Sequence, residues 1–484
     1  MLKAHVPTNR SARLLVAVAL LAALFLLTGC GGGSGSMAVG PAAPGTTQVQ
    51  FRVGDAPADS VISFEVSIAS PITLHPADGS AAVTVTLRKN RFELTHMAGD
   101  MEPLAVMGVP AGTYSSIDLT VTNPEVVFIN SSGVTQKLEG KASTPITITL
   151  SPAVTIGANA SVVDLDFNVA NSLTFDAQGN VSGFNFTGSS VTVAASAVGK
   201  DGDEDDDDGE LENIVGTVTN VSGSNFTLMV SQTGMPLNFT TDSNTEFKDG
   251  AALATLMNTI VKVEGETKAD GTLYAKEVEG VENENGAEIE GQITAVTGNP
   301  VTSLTLVAHD GMGKGMDDAM GGSMFTVDVS GVQASKYRID DGGADFSGLS
   351  VPGPMFPFDA TTIHAGQNVE VESQEGMATA GTFTAESVKL QQQSLTGMIT
   401  AVSSSSVPRT ITIALPADSA LAMLSGGGTL SITVFDQPKT DHHKINALQV
   451  GDTITVRGLL FSTGTQFNMV ARRIEGNGSN SGKN

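Results

Sequence analysis

The sequence predicts a nearly all-β protein, in which an N-terminal β-sandwich is followed by about three small five-stranded β-barrels. The 484 residues are rich in Val, Thr, Ile, Ser, Gly and Asn, which is typical of strands joined by tight turns. Apolar and polar residues alternate in many short runs. One set of these runs recurs three times in the C-terminal half of the chain, which indicates a repeated domain.

The first thirty residues have the three zones of an export signal. The basic zone comes first and contains Lys3, Arg10 and Arg13. An unbroken apolar run from Leu14 to Leu27 follows; it has the length of a signal-peptide core and is short for a membrane span. A positive flank before such a run is the usual orienting feature. We expect residues 1–29 to be a signal peptide, and the alternative is an anchor helix that stays in the membrane.

The end of this signal closely resembles the bacterial lipobox, whose residues here are Leu27, Thr28, Gly29 and Cys30. The resemblance implies that a diacylglycerol is attached to the sulfur of Cys30 and that the chain is cut before it. Several acyl chains anchor a protein stably to a membrane, whereas one chain anchors it marginally. Residue 31 is Gly rather than Asp, which by similarity to such lipoproteins favours the outer membrane of the cell envelope. Residues 30–47 are rich in Gly, Ser, Pro and Ala and predict a flexible leash.

Composition excludes several kinds of site. Cys30 is the only cysteine, so disulfides, cysteine nucleophiles and thiolate metal sites are excluded in the rest of the chain. Residues 1–29 carry three basic and no acidic residues, and their removal changes the formal net charge from −26 to −29. A chain this negative repels nucleic acid and anionic lipid head groups. We therefore expect no nucleic-acid partner.

Residues 48–199 are predicted to form the β-sandwich. Apolar side chains alternate with polar ones in several runs, as in Ile146, Ile148 and Leu150. Turn sequences rich in Gly, Pro, Asn and Ser separate the runs at the spacing that a sandwich requires. These turns fall at residues 77–79, 110–112, 131–133 and 178–180.

Several segments of this region, in this order, resemble an envelope-lipoprotein domain classified only as a domain of unknown function. They are GDAPADSV (Gly54–Val61), LHPADG (Leu74–Gly79), VPAGTYSSIDLTV (Val109–Val121), ITLSPAVTI (Ile148–Ile156) and VVDLDF (Val162–Phe167). The resemblance covers roughly residues 48 to 197, and it implies no activity.

An acidic linker, residues 200–213, is predicted to lead into the repeats. We place the repeats at residues 214–283, 288–391 and 394–476, followed by a disordered tail at 477–484. They open on the related strands GTVTNV, GQITAV and GMITAV, and the middle repeat carries a Met- and Gly-rich insertion. About five strands per repeat, with a Gly near the start, predict small barrels of the oligonucleotide/oligosaccharide-binding (OB) type.

The repeats also resemble a second family of unknown function, which occurs in tandem in bacterial secreted proteins. The segments that match best are DSNTEF (Asp242–Phe247) in the first repeat and LQVGD (Leu448–Asp452) in the third. Neither segment is recognisable in the middle repeat. The resemblance implies a β-barrel-like domain and gives no function.

The acidic run from Asp201 to Glu212 is the first candidate metal site. It does not place Gly at the sixth position and Glu at the twelfth of a helix–loop–helix calcium loop. A solvated, self-repelling linker is therefore the simpler interpretation. If the run binds Ca²⁺ loosely, the expected ligands are Asp203, Asp205 and Asp207.

The insertion of the middle repeat is the second candidate. Methionines recur there at every fourth position, namely Met312, Met316, Met320 and Met324. Thioethers suit a soft ion such as Cu(I). The interspersed glycines disfavour a helix, and the alternative is a low-complexity insert. Asp441-His442-His443 could also hold a divalent metal, but an exposed polar hairpin is the simpler interpretation.

The sequence contains no recognisable catalytic motif. No Ser lies in a Gly-x-Ser-x-Gly turn between a strand and a helix, and no His pair has zinc-site spacing. Trp is absent and Tyr occurs three times, which leaves few stacking platforms for sugars or single strands. We therefore expect a lipid-anchored, non-catalytic interaction or structural protein without a cofactor, whose envelope or extracellular partner is unknown. The alternatives are a cation-binding envelope module and a hydrolase whose residues converge only in three dimensions.

Overall fold

The computed structural model describes residues 46–56, 60–87, 90–95, 101–141, 143–159, 161–198, 210–230, 236–248, 250–268, 270–280, 286–313, 321–375, 381–443, 445, 447–464 and 466–476. Over these residues the protein is nearly all β, and the predicted fold class is confirmed. The predicted signal peptide, leash and C-terminal tail lie outside the described residues, apart from the last two residues of the leash. The candidate side chains that also lie outside them are those of Leu27, Thr28, Gly29, Cys30, Asp203, Asp205, Asp207, Met312, Met316 and Met320.

The N-terminal domain is a sandwich of two sheets. Its strands are β1 (Thr46–Ala56), β2 (Val61–Ile68), β3 (Ile72–Pro76), β4 (Val83–Val85), β5 (Arg91–Glu93), β6 (Glu102–Pro110), β7 (Gly112–Ile129), β8 (Thr135–Glu139), β9 (Ser143–Ile156), β10 (Ser161–Asn168), β11 (Leu173–Phe175), β12 (Val181–Phe184) and β13 (Val191–Ala197). A short helix, α1 (Val169–Ser172), follows β10, and the side chain of Asn168 caps its N-terminus.

The first sheet of the sandwich has the order β13-β10-β1-β6, and in it β1 and β10 run parallel. The second sheet is organised by the long strand β7, which pairs with β2 and β3 along one edge and with β8 and β9 along the other. Strands β4 and β5 extend this sheet, while β11 and β12 form a separate hairpin. One apolar cluster, which includes Phe51, Phe64, Ile148 and Phe167, fills the space between the sheets. Alternation with period two thus places one face of each strand in the core.

The first barrel contains β14 (Glu210–Ser222), β15 (Asn225–Val230), β16 (Pro236–Thr240), β17 (Glu246–Lys248), β18 (Ile260–Thr267) and β19 (Leu273–Gly280). The second contains β20 (Ala287–Gly298), β21 (Val301–Gly313), β22 (Met324–Asp328), β23 (Tyr337–Ile339), β24 (Asn368–Ser373), β25 (Thr382–Thr384) and β26 (Ser387–Leu390). The third contains β27 (Gln392–Val402), β28 (Arg409–Leu415), helix α2 (Ala420–Leu424), β29 (Leu430–Asp436), β30 (Asp441–His443), β31 (Thr453–Ser462) and β32 (Phe467–Gly476).

The three repeats share one strand order. In the first barrel β14 pairs with β15 and β18, and the parallel pairing of β16 with β19 closes the ring. In the third barrel β27 pairs with β28 and β31, and β29 with β32 closes it in the same way. This is the closed five-stranded arrangement that the OB-type prediction requires. A short parallel strand, β17, β23 or β30, lies beside the last strand of each repeat.

The same β-bulge interrupts the first strand of every barrel. The extra residue is Thr219, Thr294 or Thr400, at the fourth position of the repeated opening motif. Its hydroxyl donates to a carbonyl oxygen of the second strand, at 3.4, 3.3 and 3.1 Å respectively. A bulge increases the local twist of a strand, as closing a small barrel demands.

The last strand of the middle barrel is broken. Strand β25 pairs with β22 and strand β26 pairs with β24, with Ala385 and Glu386 between them. In the other barrels, Gly265 of β18 and Gly458 of β31 lie very close to a carbonyl oxygen of the last strand. A Cβ atom at either position would clash with that oxygen. The corresponding residue of the middle barrel is Ser373. We attribute the break to its side chain, which keeps the last strand from approaching at this point.

The sandwich contacts all three barrels. Val106 of β6 belongs to the apolar cluster of the first barrel. His309 of the second barrel lies 3.0 Å, Nε2 to oxygen, from the carbonyl of Ile62 in β2. Ala420 of helix α2 packs with Ile62 and Val127 of the sandwich. The described domains therefore form a packed body rather than a chain of separate modules.

Candidate binding groove

A groove opens at one end of the sandwich, between the β3–β4 loop and the β6–β7 turn. Its volume is about 460 Å³, within the usual range for ligand pockets. The lining is mostly small and apolar, and includes Pro76, Ala77, Ala81, Val83, Pro110 and Ala111. Both loops belong to segments that resemble the envelope-lipoprotein domain, LHPADG and VPAGTYSSIDLTV.

Hydrogen bonds fix the two walls of the groove. The N–H of Ala77 donates to the carbonyl oxygen of Thr113 at 2.8 Å and joins one loop to the other. The hydroxyl of Tyr114 donates to the carbonyl oxygen of Pro110 at 2.7 Å and closes the β6–β7 turn. Burial raises the pKa of Tyr114, so this hydroxyl stays protonated and keeps its structural hydrogen bond.

Asp78 is the one formally charged residue among the described residues that line the groove. The N–H of Ser80 donates to Asp78 Oδ1 at 2.9 Å, and this hydrogen bond lowers the pKa of the carboxyl. Gly79 follows in the left-handed region, with φ of +76°, as the tight turn requires. The groove thus offers apolar walls and one ionised carboxylate, an arrangement that suits a partly apolar ligand with a positive charge.

A second polar cluster lies on the outer face of the sandwich. His75 Nε2 is 2.7 Å from Asp118 Oδ2, and the hydroxyl of Thr147 donates to Asp118 Oδ1 at 2.6 Å. The bond from Thr147, followed by that from His75, lowers the pKa of Asp118. Ser116 lies opposite His75 in the β3–β7 register, but within the described part of the chain its hydroxyl makes no hydrogen bond to that ring. The cluster is half-exposed, and within the described residues no hydroxyl makes a hydrogen bond to the ring of His75.

A small cavity of about 70 Å³ lies where the sandwich meets the second and third barrels. Ile62, His309, Asn368, Gln393 and Leu421 are among its lining residues. The buried oxygens Asn368 Oδ1 and Gln292 Oε1 have no hydrogen-bond partner among the described residues. A cavity of this size has room for several water molecules. Buried oxygens without a protein partner normally accept hydrogen bonds from such water.

The structure places two of the candidate methionines, and it places them apart. Met312 is near the end of β21, and Met324 begins β22 as an exposed side chain. Met324 pairs with Val307, five positions before Met312 on β21, or about 17 Å along a strand. The described backbone around the insertion is therefore extended at both ends.

His442 of the third candidate is held by an ion pair. Its Nε2 lies 3.1 Å from Asp436 Oδ2, and this hydrogen bond raises the pKa of the imidazole. Arg409 Nε donates to the same oxygen at 2.6 Å. Within the described residues, no group of three or more His, Cys, Asp or Glu side chains is arranged to hold a metal ion.

Helices contribute little to the part of the chain that the structure describes, and none of those present combines the length and the apolar character needed to cross a membrane.

The comparisons identify families in two parts of the chain. Residues 46–186 match the family described as Domain of unknown function (DUF4382). Residues 215–279 and 396–475, in the first and third barrels, match Domain of unknown function (DUF5666). The predicted resemblance to two families of unknown function is thereby confirmed. No curated protein matches the chain.

Sequence reasoning did not find the groove, although a signal for it was present. Each of the two resembling segments that line it contains a turn, at residues 77–79 in one and at residues 110–112 in the other. Loops that are characteristic of a family more often carry function than packing. What the sequence could not supply was the pairing of β3 with β7, which brings the two loops together.

Proposed function

Because the chain joins a DUF4382 domain to two matched DUF5666 domains, we propose that it is a lipid-anchored, non-catalytic interaction protein of the bacterial cell envelope. The tether in this proposal is the lipid on Cys30, which the lipobox resemblance supports. The interaction surface is the groove of the sandwich, and the partner is a partly apolar ligand or peptide that carries a positive charge. The groove, with Asp78 as its single charge, is the observation that carries the proposal.

The barrels serve as a platform for the groove in this proposal. Apolar contacts of the sandwich with barrels one and three, and hydrogen bonds with barrel two, hold the domains together. A packed body keeps a binding surface in a fixed position, which lowers the entropy cost of binding. None of these contacts involves the groove residues, so the groove remains accessible to a partner.

The groove is tested by site-specific photocrosslinking in envelope extracts. A photoreactive amino acid replaces Ala81 in the groove, and in a control it replaces the exposed Val134 at the other side of the domain. We expect the groove probe alone to give a discrete adduct, which Asp78→Lys abolishes by reversing the charge. Equal labelling by both probes, or an adduct that persists with Asp78→Lys, would refute the groove as the binding site.

The tether is tested separately with Cys30→Ser. We expect radiolabelled fatty acid to be incorporated into the parent chain and not into this variant, which should leave the membrane fraction. The absence of catalysis is tested with a broad panel of ester, peptide and glycoside substrates. Turnover that one point substitution abolishes would overturn the proposal.

The cation-binding alternative rests on Asp203, Asp205 and Asp207 and on the methionines of the insertion. It is decided by calorimetric titration of the full chain with Ca²⁺ and with Cu(I). Saturable heat below millimolar concentration supports a cation-dependent module, and its loss after replacement of these three aspartates by Asn assigns the ligands.

A further inference from the structure

The first and second barrels face each other with the same part of their surfaces. Lys262 of β18 pairs across the strands with Glu279 of β19. Glu370 of β24 pairs in the same way with Lys389 of β26. Lys262 and Glu370 occupy equivalent positions of the repeat, and so do Glu279 and Lys389. The same two positions therefore carry Lys and Glu in the first barrel, and Glu and Lys in the second.

The four side chains form an ionic network across the contact, in which Glu279, Glu370 and Lys389 are buried and Lys262 is partly buried. Lys389 Nζ lies 2.9 Å from Glu279 Oε1 and 2.9 Å from Glu370 Oε1. Lys262 Nζ lies 3.0 Å from Glu279 Oε2. When both carboxyls are ionised, two ammonium groups and two carboxylates balance, and the network itself adds no net charge to the interior. Because the desolvation of buried ions offsets much of their attraction, such a network is sensitive to any further charge nearby.

Glu288 is that further group. It lies on β20, its residue is 7% exposed, and its side chain makes no hydrogen bond or ion pair within the described residues. It lines a cavity of about 20 Å³ at the contact, whose walls include Val215 and Lys262 from the first barrel. Separation of the barrels would therefore expose Glu288 more fully to water.

The surroundings of Glu288 carry more negative than positive charge. The lysines are Lys262 of β18 and Lys389 of β26. The carboxylates on the elements packed around it are Glu264, Glu279, Glu290, Asp310, Glu370 and Glu372. A proton on Glu288 removes one negative charge from this group, whereas its ionised form adds one where it has no partner.

Among the described residues, no apolar cluster spans this contact. The apolar clusters of the first and second barrels share no residue within the described chain. By contrast, the cluster of the second barrel continues into the third through Phe435 and Phe461. The described interactions that join barrels one and two are thus chiefly ionic, unlike those that join barrels two and three.

We propose that the contact between the first and second barrels is a proton-dependent latch, in which Glu288 takes up a proton when the barrels dock and releases it when they part. Acidification of the surroundings closes the latch, and a rise in pH loosens it. The ligand that controls this contact is a proton, which binds to the carboxylate of Glu288.

The direction in which docking changes with pH follows from the two protonation states of Glu288. Burial, followed by the negative charges of Glu370 and Glu279, raises the pKa of Glu288 well above 4.5. Burial also raises the pKa of Glu370 to about 7. A carboxyl with a higher pKa in the docked state favours docking below that pKa, and this advantage is lost as the pH rises from about 4.5 through the raised value. Each such proton changes the docking equilibrium by up to about tenfold per pH unit in that window.

The test measures separation of the barrels by energy transfer in the full chain. Fluorophores are attached to cysteines that replace the exposed Met257 and Met355, in a Cys30→Ser background. At each pH from 5 to 8, urea is added until transfer is half lost. A second label pair at Met324 and Met355, both in the second barrel, reports unfolding of that barrel alone.

We expect the urea midpoint of the parent chain to fall as the pH rises from 5 to 8. Glu288→Gln should make the fall of the urea midpoint with pH shallower, because docking then takes up one proton fewer. The docking equilibrium of this variant should change with pH by up to about tenfold less per pH unit. The control Glu375→Gln, on an exposed residue of the same barrel, should follow the parent. A parent midpoint that is constant or rises with pH overturns the proposal even if the variant does not fold. Identical slopes for parent and Glu288→Gln overturn the role of Glu288.

Discussion

At the scale of single residues, the barrels depend on a few positions where a side chain would occupy backbone space. Gly458 of β31 faces the carbonyl oxygen of Val470 in β32, and an added Cβ atom would clash with it. Asn258, Gly366 and Gly451 have positive φ at the same position of the three repeats. Their N–H groups donate to the first strand at 2.8, 2.7 and 2.8 Å. These contacts tie the fourth strand to the first beside the bulge.

Gly458→Ala is expected to lower the free energy of unfolding by about 1–3 kcal/mol, the usual cost of overpacking. The added methyl group must push β31 and β32 apart. At the equivalent position of the middle barrel the residue is Ser373, and there the last strand is broken. Urea denaturation of both proteins measures the loss. Gly331→Ala is the matched control, because a Cβ at that position meets no atom and its φ is ordinary. Equal losses in the two variants would contradict the steric explanation.

His442 gives the third barrel a pH-dependent contribution of known sign. Its pKa is raised by the hydrogen bond to Asp436, so the protonated form is favoured in the folded state. This stabilisation is complete below pH 6.5 and is lost as the pH rises through the raised pKa. We therefore expect His442→Gln to lower the melting temperature more at pH 6 than at pH 8.5.

The control for this prediction is His443→Gln. His443 is the next residue of β30, is similarly half-buried, and its side chain makes no hydrogen bond or ion pair within the described residues. Thermal unfolding of the three proteins at both pH values is sufficient. A His442→Gln effect that grows with pH would show that the ion pair with Asp436 does not stabilise the fold.

At the scale of elements, the long loop between β23 and β24 joins the second barrel to the third. Phe356 of this loop packs edge-on against Phe435 of β29 and Phe461 of β31, with ring centroids 4.9 and 5.4 Å apart. The side-chain amide of Asn468 donates to the carbonyl oxygen of Met355 at 2.7 Å. Aromatic side chains bury large areas and so dominate contacts of this kind. The loop is therefore part of the core that the two barrels share.

Phe356→Ala is expected to cost about 3–5 kcal/mol, as removal of a fully buried aromatic side chain does. The loss should also separate the unfolding of the second and third barrels, since the shared cluster loses its central ring. Differential scanning calorimetry distinguishes one transition from two. Met355→Ala removes an exposed neighbour and should leave a single, unshifted transition; similar curves for both variants would place the shared core elsewhere.

At the scale of the whole molecule, the protein combines a large negative charge with buried carboxyls that have raised pKa values. Burial raises the pKa of Glu65 in β2 to about 7, against the opposing effect of Arg91. Glu65 lies where the sandwich meets the second barrel, since a Cβ on Gly321 would touch its carboxyl. Together with Glu288 and Glu370, this residue makes the packed body bind protons on folding.

Stability of the whole molecule is accordingly expected to fall as the pH rises from about 4.5 to about 7. The raised pKa of Glu65 means that the folded state holds a proton that the unfolded state has lost, which costs up to about 1.4 kcal/mol per pH unit in this window. Glu65→Gln should reduce the slope of melting temperature against pH, and Glu375→Gln should not. A steeper slope in Glu65→Gln would mean that Arg91 outweighs burial at this site.

The sequence by itself determined the fold class and the repeat. Alternation with period two identifies strands wherever one face is buried, as in Ile146, Ile148 and Leu150, which are all core residues. One opening motif recurs, from GTVTNV to GMITAV, because each copy forms the same β-bulge at the Thr in its fourth position. Both signals are local, so no knowledge of distant contacts is needed to detect them.

Only the tertiary structure decided how the domains meet and where a ligand fits. The groove requires β3 beside β7, and the ionic network requires two barrels placed face to face, so both depend on residues far apart in the chain. Lys262, Glu279, Glu370 and Lys389 look like ordinary exposed charges of alternating strands. They form one network because two copies of one surface carry opposite charges, and a single sequence reveals that complementarity only when the chain has folded.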